Sequence, residues 1–175
     1  MYMQYTDFLS LAQNRYSVRK FSSEPVAQEH IEHILHAGMV APTAKNLQPQ
    51  KIFVIQSAEA LAKLPECTDC HFNAPLAMLI CCDHNISWRR DCDGANSGEI
   101  DIAIVNTHMM LAAAELGVGS TWVMWFNPEA VKEKFNLAEN LEPVAFLMLG
   151  YPAENAHPSR LHTQSRSMDE IVSYL

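Results

Sequence analysis

Positive charge is scarce in this chain. Twelve Lys and Arg stand against 20 Asp and Glu, a formal net charge of −8. A nucleic-acid or anionic-membrane partner selects a basic surface, so neither is expected. No run approaches the ~20 consecutive apolar residues of a membrane-spanning helix. The N-terminus, Met1-Tyr2-Met3-Gln4-Tyr5-Thr6-Asp7, lacks both a basic start and an apolar signal core. These absences read as a soluble cytoplasmic protein. Cysteine occurs at five positions, 67, 70, 81, 82 and 92. The number is odd and no secretion signal is seen, so reduced thiols are expected. No Gly-x-Gly-x-x-Gly or Walker sequence is present, which argues against a separate dinucleotide domain. Internal repeats, low-complexity tracts and linkers are also missing, and 175 residues suit a single domain over 1–175.

The apolar pattern then sets the elements. Phe8, Leu9, Leu11 and Ala12 predict a short amphipathic helix over 5–14, and Ile31, Ile34, Leu35 and Met39 a second over 27–40, stopped by Pro42. Lys51 to Gln56 is β-rich, and Leu76 to Cys82 is a continuous apolar run, as in a strand buried on both faces. A brief helix near 58–64 is expected, then a loop from Pro65 to Pro75. Residues 85–98 are polar and turn-rich and predict a long loop. The stretch 99–116 predicts the longest helix, apolar nearly all round, and a helix of that kind is buried on every side. In so small a domain, that implies a subunit interface. Val118 to Trp125 predicts an edge strand leading to a short helix at Asn127-Pro128. Val144 to Leu149 predicts another buried strand, and Met168, Ile171 and Val172 a short docking helix.

The few cations are clustered. Arg15-Tyr16-Ser17-Val18-Arg19-Lys20-Phe21 puts three of them within six residues. Arg15, Ser17 and Arg19 alternate, so in an extended segment they share one face. Two guanidinium forks with a hydroxyl between them suit a phosphate or an electron-rich carbonyl. About 25 residues on comes Ala41-Pro42-Thr43-Ala44-Lys45-Asn46-Leu47-Gln48-Pro49. Its Asn and Gln each donate and accept. The plain alternatives are a basic face paired with surface carboxylates, and turn chemistry between two prolines.

Together these two runs resemble the N-terminal signatures of the nitroreductase family of flavoproteins. Gly117-Val118-Gly119-Ser120-Thr121-Trp122 and Leu149-Gly150-Tyr151-Pro152 continue the resemblance in order, from about residue 12 to 173. The resemblance implies an α+β fold, a three-layer α/β/α sandwich around a mainly antiparallel sheet, in an intertwined homodimer with FMN at the interface. By the same resemblance, Arg15, Tyr16, Ser17 and Arg19 would hold the phosphate, ribityl and pyrimidine regions of FMN. Pro42, Thr43, Ala44, Asn46 and Gln48 would line the ring from the other subunit, and Trp122, Val123 and Met124 would bring a backbone N–H toward flavin N5. A tail cation would meet the phosphate: register with the closing helix favours Arg166, with Arg160 as its competitor. The implied activity is reduction of a nitroaromatic, quinone or related small-molecule acceptor by NADH or NADPH, in ping-pong order. No catalytic side chain is needed, because the flavin carries the chemistry. A flavin-binding protein with a storage, sensing or partner-binding role is the alternative.

Two departures stand out. Many members carry Gly where this chain has Met124 or Trp125, so a bulky Trp125 either narrows the substrate cavity or stacks on a flat substrate. For both Trp122 and Trp125, core packing is the competing reading. The loop 85–98, with Trp88, Arg89 and Arg90, either covers the site, binds the donor's phosphate or is a solvated excursion. Cys67-Thr68-Asp69-Cys70-His71 has half the ligand spacing of a zinc site, but no second distant pair completes it, so no metal is expected.

Overall fold

The structure, a computed structural model, describes residues 7–175. The N-terminal reading of Met1 to Thr6, including the start of the helix expected over 5–14, lies outside the described residues. Helix α1 spans Phe8–Asn14, where Asp7 caps it by accepting the Ser10 N–H at 2.8 Å. Helix α2 spans Gln28–Met39 and buries Ile31 and Ile34. Strands β1 (Gln50–Ile55) and β2 (Leu76–Asp83) pair antiparallel. Between them lie α3 (Ala58–Leu61) and α4 (Leu64–Cys67). The expected loop from Pro65 to Pro75 is therefore corrected: it holds most of α4 and a 3-10 turn over Asp69–His71. Pro65 sits in the first turn of α4, where a missing N–H costs nothing.

Helix α5 (Gly98–Glu115), β3 (Gly119–Val123), α6 (Pro128–Lys134), β4 (Leu141–Gly150) and α7 (Met168–Ile171) complete the order. The sheet runs β1-β2-β4-β3, every neighbour antiparallel. β4 carries a register shift: Ile80 faces Ala145 but Cys81 faces Pro143. That bulge tolerates a proline in a central strand, because the ladder is already interrupted there.

Strand periodicity sends alternate side chains to opposite faces. Met78, Ile80 and Leu147 pack with Ile34, Ile102, Val105 and Met109 on the α2–α5 side. Leu79, Cys81, Phe146 and Met148 pack with Leu64 and Val131 on the α4–α6 side. Helices thus cover both faces, the three layers of an α+β sandwich. Phe146 is fully buried, with Phe126 edge-on at a centroid distance of 5.4 Å.

Within one chain α5 is not covered on every side, as a helix that also meets a second subunit would be. Ile100 is 65% exposed, whereas Asp101 and Asn106 are 3% and 0% exposed. The Asn106 amide finds no hydrogen-bond partner among the described residues. The 85–98 segment is also more ordered than a loop: Arg89 and Asn96 form an antiparallel bridge, and Arg90 grips Asp93 through two bonds at 2.8 and 2.6 Å. No helix among the described residues is long and apolar enough to cross a membrane.

Burial, then the charges of Glu142 and Cys82, pushes the Cys81 thiol up to about 12. Unfolded, a thiol ionises near ~8.5, so this group stabilises the fold fully below that pH and its contribution fades as pH climbs toward the folded value. Urea denaturation from pH 7 to 11 should show an alkaline fall in stability that is shallower in Cys81→Ala. An identical slope would count against the assignment.

Candidate functional site

The first cationic run is fixed by backbone. Arg15 caps α1, donating its N–H to Leu11 O at 3.0 Å. The chain then lies parallel to edge strand β3 through a Ser17–Ser120 bridge, with Val18 N–H donating to Ser120 O at 2.9 Å. The Thr121 hydroxyl donates to Val18 O. Val18 points inward and is buried, leaving Ser17 and Arg19 on the outer face. A Cβ at Gly119 would sit 2.7 Å from Val18 Cγ2, so only glycine lets the run dock this closely. Farther on, Phe21 bridges Pro152, Ser22 N–H donates to Tyr151 O at 2.8 Å, and Ala153 N–H donates to Lys20 O at 3.0 Å. Gly150 leaves the room for Phe21 that a Cβ would take.

Arg15, Tyr16, Ser17 and Arg19 border a cavity of 220 Å³ together with Ser159, Leu161 and His162. The rings of Tyr16 and His162 meet edge-on at 6.2 Å. Arg19 reaches Ser17 O at 3.3 Å, and among the described residues neither Arg15 nor Arg19 forms an ion pair. In a chain of net charge −8, two adjacent unpaired guanidinium groups are an anion-receptive face, not a surface paired with carboxylates. The tail cations separate here. Arg166 bonds the Glu170 carbonyl at 3.1 Å and lies 4.0 Å from its carboxylate. Arg160 lies between two cavity-lining residues, Ser159 and Leu161, and forms no ion pair among the described residues. The structure therefore brings the neighbourhood of Arg160, more than that of Arg166, to Arg15.

The second run is shaped by strained backbone. Lys45, Asn46 and Gln48 have φ of 50°, 55° and 51°, three left-handed non-glycine residues within four positions. Gln48 N–H donates to the Thr43 hydroxyl at 3.0 Å, and the Gln48 side chain donates to Asn46 Oδ1 at 3.2 Å. What holds this loop is a residue that sequence reading passed over. Buried Asp101, in the first turns of α5, accepts the Ala44 N–H at 2.9 Å and the Ser97 hydroxyl at 2.7 Å. The visible signal was an acidic residue on a mostly apolar helix, one turn from its start. Lys45 lies 5.9 Å from the Trp88 ring, which ties the 85–98 segment to this loop.

The two runs do not meet within one chain. The first docks beside β3 and the second leads into β1, the two outer strands of the sheet, and no hydrogen bond among the described residues joins them. β3 ends at Val123, and the expected strand to Trp125 is shorter by two residues. Trp122 is half-buried, and its indole N–H has no acceptor among the described residues. Met124 and Trp125 are 66% and 76% exposed, so core packing does not describe Trp125. Among the described residues no group of three or more His, Cys, Asp or Glu side chains is placed to hold a metal ion.

An α+β sandwich with a cationic cleft on one sheet edge and a polar, left-handed loop at the other defines the class. The chain belongs to the nitroreductase family, whose pattern matches residues 12–72 and 69–151. It is similar to a crystal structure of a nitroreductase family protein from Clostridium difficile 630, with 41% identity, TM-score 0.91, and 97% of this chain and 98% of that one covered. A protein of Methanothermobacter thermautotrophicus with the provisional name NADH dehydrogenase/NAD(P)H nitroreductase is 30% identical, over 90% of this chain and 87% of that protein. An FMN reductase [NAD(P)H] of Bacillus subtilis is 27% identical, over 95% of this chain and 77% of the relative.

Proposed function

We propose that this chain is an FMN-dependent oxidoreductase that uses NADH or NADPH to reduce a nitroaromatic, quinone or related acceptor. The observation that carries it is the pair Arg15 and Arg19, unpaired around the Ser17 hydroxyl in the 220 Å³ cavity. The donor set fits the cofactor: guanidinium groups and a hydroxyl for a phosphate and polyol chain, and an Asn–Gln loop for a ring edge that both donates and accepts. In this reading Arg15, Tyr16, Ser17, Arg19 and a tail arginine, Arg160 ahead of Arg166, hold one end of the cofactor. Trp122, Val123 and Met124 flank it by backbone. Pro42, Thr43, Ala44, Asn46 and Gln48 complete the site from a second copy, a reading supported by the two runs flanking opposite outer strands of one sheet. The Ala44 N–H is already committed to Asp101, so Ala44 would contribute surface and not a hydrogen bond.

When bound, FMN supplies two-electron chemistry, taking hydride from NAD(P)H at N5 and delivering the electrons to an acceptor that follows on the same face. The protein orients, excludes water and sets charge: Arg19 would stabilise negative charge on the pyrimidine edge. No side-chain nucleophile is called on, and burial, reinforced by Glu66, raises the pKa of the Cys67 thiol.

The purified protein should be yellow, release FMN on denaturation, and elute with the mass of two chains. Stopped-flow mixing with NADH and NADPH should bleach the flavin band, and parallel double-reciprocal plots should report ping-pong order. A colourless protein that takes up no FMN refutes the cofactor. Flavin that neither nucleotide bleaches points instead to storage or sensing.

A further inference from the structure

A second cavity, of 440 Å³, opens beside the end of β3, on the α4–α6 side of the sheet. That volume falls within the range of small-molecule sites. Cys67, Thr68, Asp69, Met124 and Trp125 border it, with Glu66 at its exposed edge. The indole of Trp125 is mostly in water, yet its backbone is clamped. Its carbonyl accepts the buried Thr68 hydroxyl, and the next residue but one, Asn127, donates its N–H to Cys67 O at 2.9 Å. Asn127 in turn caps α6 through bonds to Glu129 and Ala130 N–H at 3.1 and 3.2 Å. A large exposed aromatic on so fixed a backbone is a preformed stacking surface with little ordering cost.

The unpaired charge around it is negative. The lining includes two carboxylates and no Lys, Arg or His. Glu66 is neutralised by Lys134, whereas Asp69 has no ion pair among the described residues. Thr68 spends its hydroxyl on Trp125, and the buried Cys67 thiol has its pKa raised, which keeps it from acting as a nucleophile. The cavity therefore offers a flat surface and a negative rim, with no reactive group of its own. It selects; it does not react.

We propose that this cavity is the acceptor subsite, in which a flat aromatic acceptor stacks on Trp125 and Asp69 disfavours acceptors that carry a carboxylate or sulfonate. The assignment rests on the flavin-oxidoreductase reading, which sets the backbone of Trp122 to Met124 beside the reactive edge of the cofactor. It favours the acceptor over the nicotinamide donor, whose pyrophosphate would meet the same negative rim.

The test uses three acceptors of one ring size: 4-nitrobenzamide, 4-nitrobenzoate and (4-nitrobenzyl)trimethylammonium. Each is mixed with NAD(P)H-reduced holoprotein, and the rate constant for reoxidation per acceptor concentration is read. The expected order is cation and amide ahead of benzoate. Trp125→Ala should slow reoxidation by 4-nitrobenzamide ~5- to 10-fold, with Trp125→Phe recovering most of the loss. Asp69→Asn should shrink the amide-to-benzoate ratio by ~3-fold or more. The proposal is overturned if Trp125→Ala stays within about twofold of the parent for the amide, or if Asp69→Asn leaves the ratio unchanged. A loss confined to bleaching by NAD(P)H would also overturn it, and make this the donor's subsite. If NAD(P)H never bleaches the wild-type flavin, the oxidoreductase reading has failed separately. Titrating 4-nitrobenzamide and 4-nitrobenzoate into the oxidised protein, read by tryptophan quenching in the wild type and Asp69→Asn, then decides whether the cavity selects by charge.

Discussion

An Asp101→Ala variant is expected to melt ~5–12 °C below the parent chain, a loss of about 2–4 kcal/mol, and to retain little flavin after gel filtration. The Asp101 carboxylate is 3% exposed and satisfies two donors, the Ala44 N–H and the Ser97 hydroxyl. Alanine leaves the buried Ser97 hydroxyl and the part-buried Ala44 N–H without this acceptor, and part of the desolvation cost of each then counts. The loss reaches the cofactor loop directly, because the Ala44 bond spans 57 positions of sequence and anchors a segment with three left-handed residues. Each such residue stores of order ~1 kcal/mol or more that the surroundings must offset. Asp101→Asn separates hydrogen bonding from charge. Its carbonyl still accepts from Ala44, and its amide can donate to Ser97, whose hydroxyl can turn to accept. It should recover most of the melting temperature. An Ala variant with unchanged melting and unchanged flavin retention would remove Asp101 from the site's support.

Arg19→Ala should weaken FMN binding roughly 10- to 100-fold, the range of a lost charge-assisted hydrogen bond. It should also shift the midpoint potential of the flavin tens of mV more negative, since a fixed cation near the pyrimidine edge favours the reduced form. Arg19 is exposed, and the side-chain hydrogen bond it makes among the described residues, to Ser17 O, is local, so melting of the apoprotein should barely move. Fluorescence titration with FMN and a spectroelectrochemical or dye-linked potential measurement decide the point. Arg19→Lys keeps the charge but not the fork, and should restore more of the potential than of the affinity. Unchanged affinity and potential in Arg19→Ala would refute its assigned role.

Much of the fold was legible because burial leaves a periodic trace. Leu76 to Cys82 reads as continuous apolar sequence and is a strand covered on both faces. Ile31, Ile34 and Leu35 read as one face of a helix and pack against the sheet. α4 was hidden because Pro65 reads as a breaker, although a proline in the first turn is compatible with a helix. In the candidate site, the Arg-x-Ser-x-Arg and Pro42–Pro49 runs are local and therefore readable. Asp101 was not, since its partner in the loop, Ala44, lies 57 residues away and no period marks it. The same limit separates Arg160 from Arg166. Register along the tail favours Arg166, but only the folded chain puts the flanks of Arg160 on the cavity and pairs Arg166 with Glu170. Trp125 is the sharpest case: the sequence leaves core packing and a cavity-facing role both open, and the chain after Val123 leaves the side chain 76% exposed.

The strand order β1-β2-β4-β3 puts the strands that flank the two runs at opposite ends of the sheet. In the proposed two-copy arrangement, cofactor capture then becomes second order in protein. Diluting the apoprotein would lower its apparent affinity for FMN with every contact intact, because the missing ligand groups are supplied by another molecule. Copy number, as much as flavin supply, would then set how much of the protein is active in a cell.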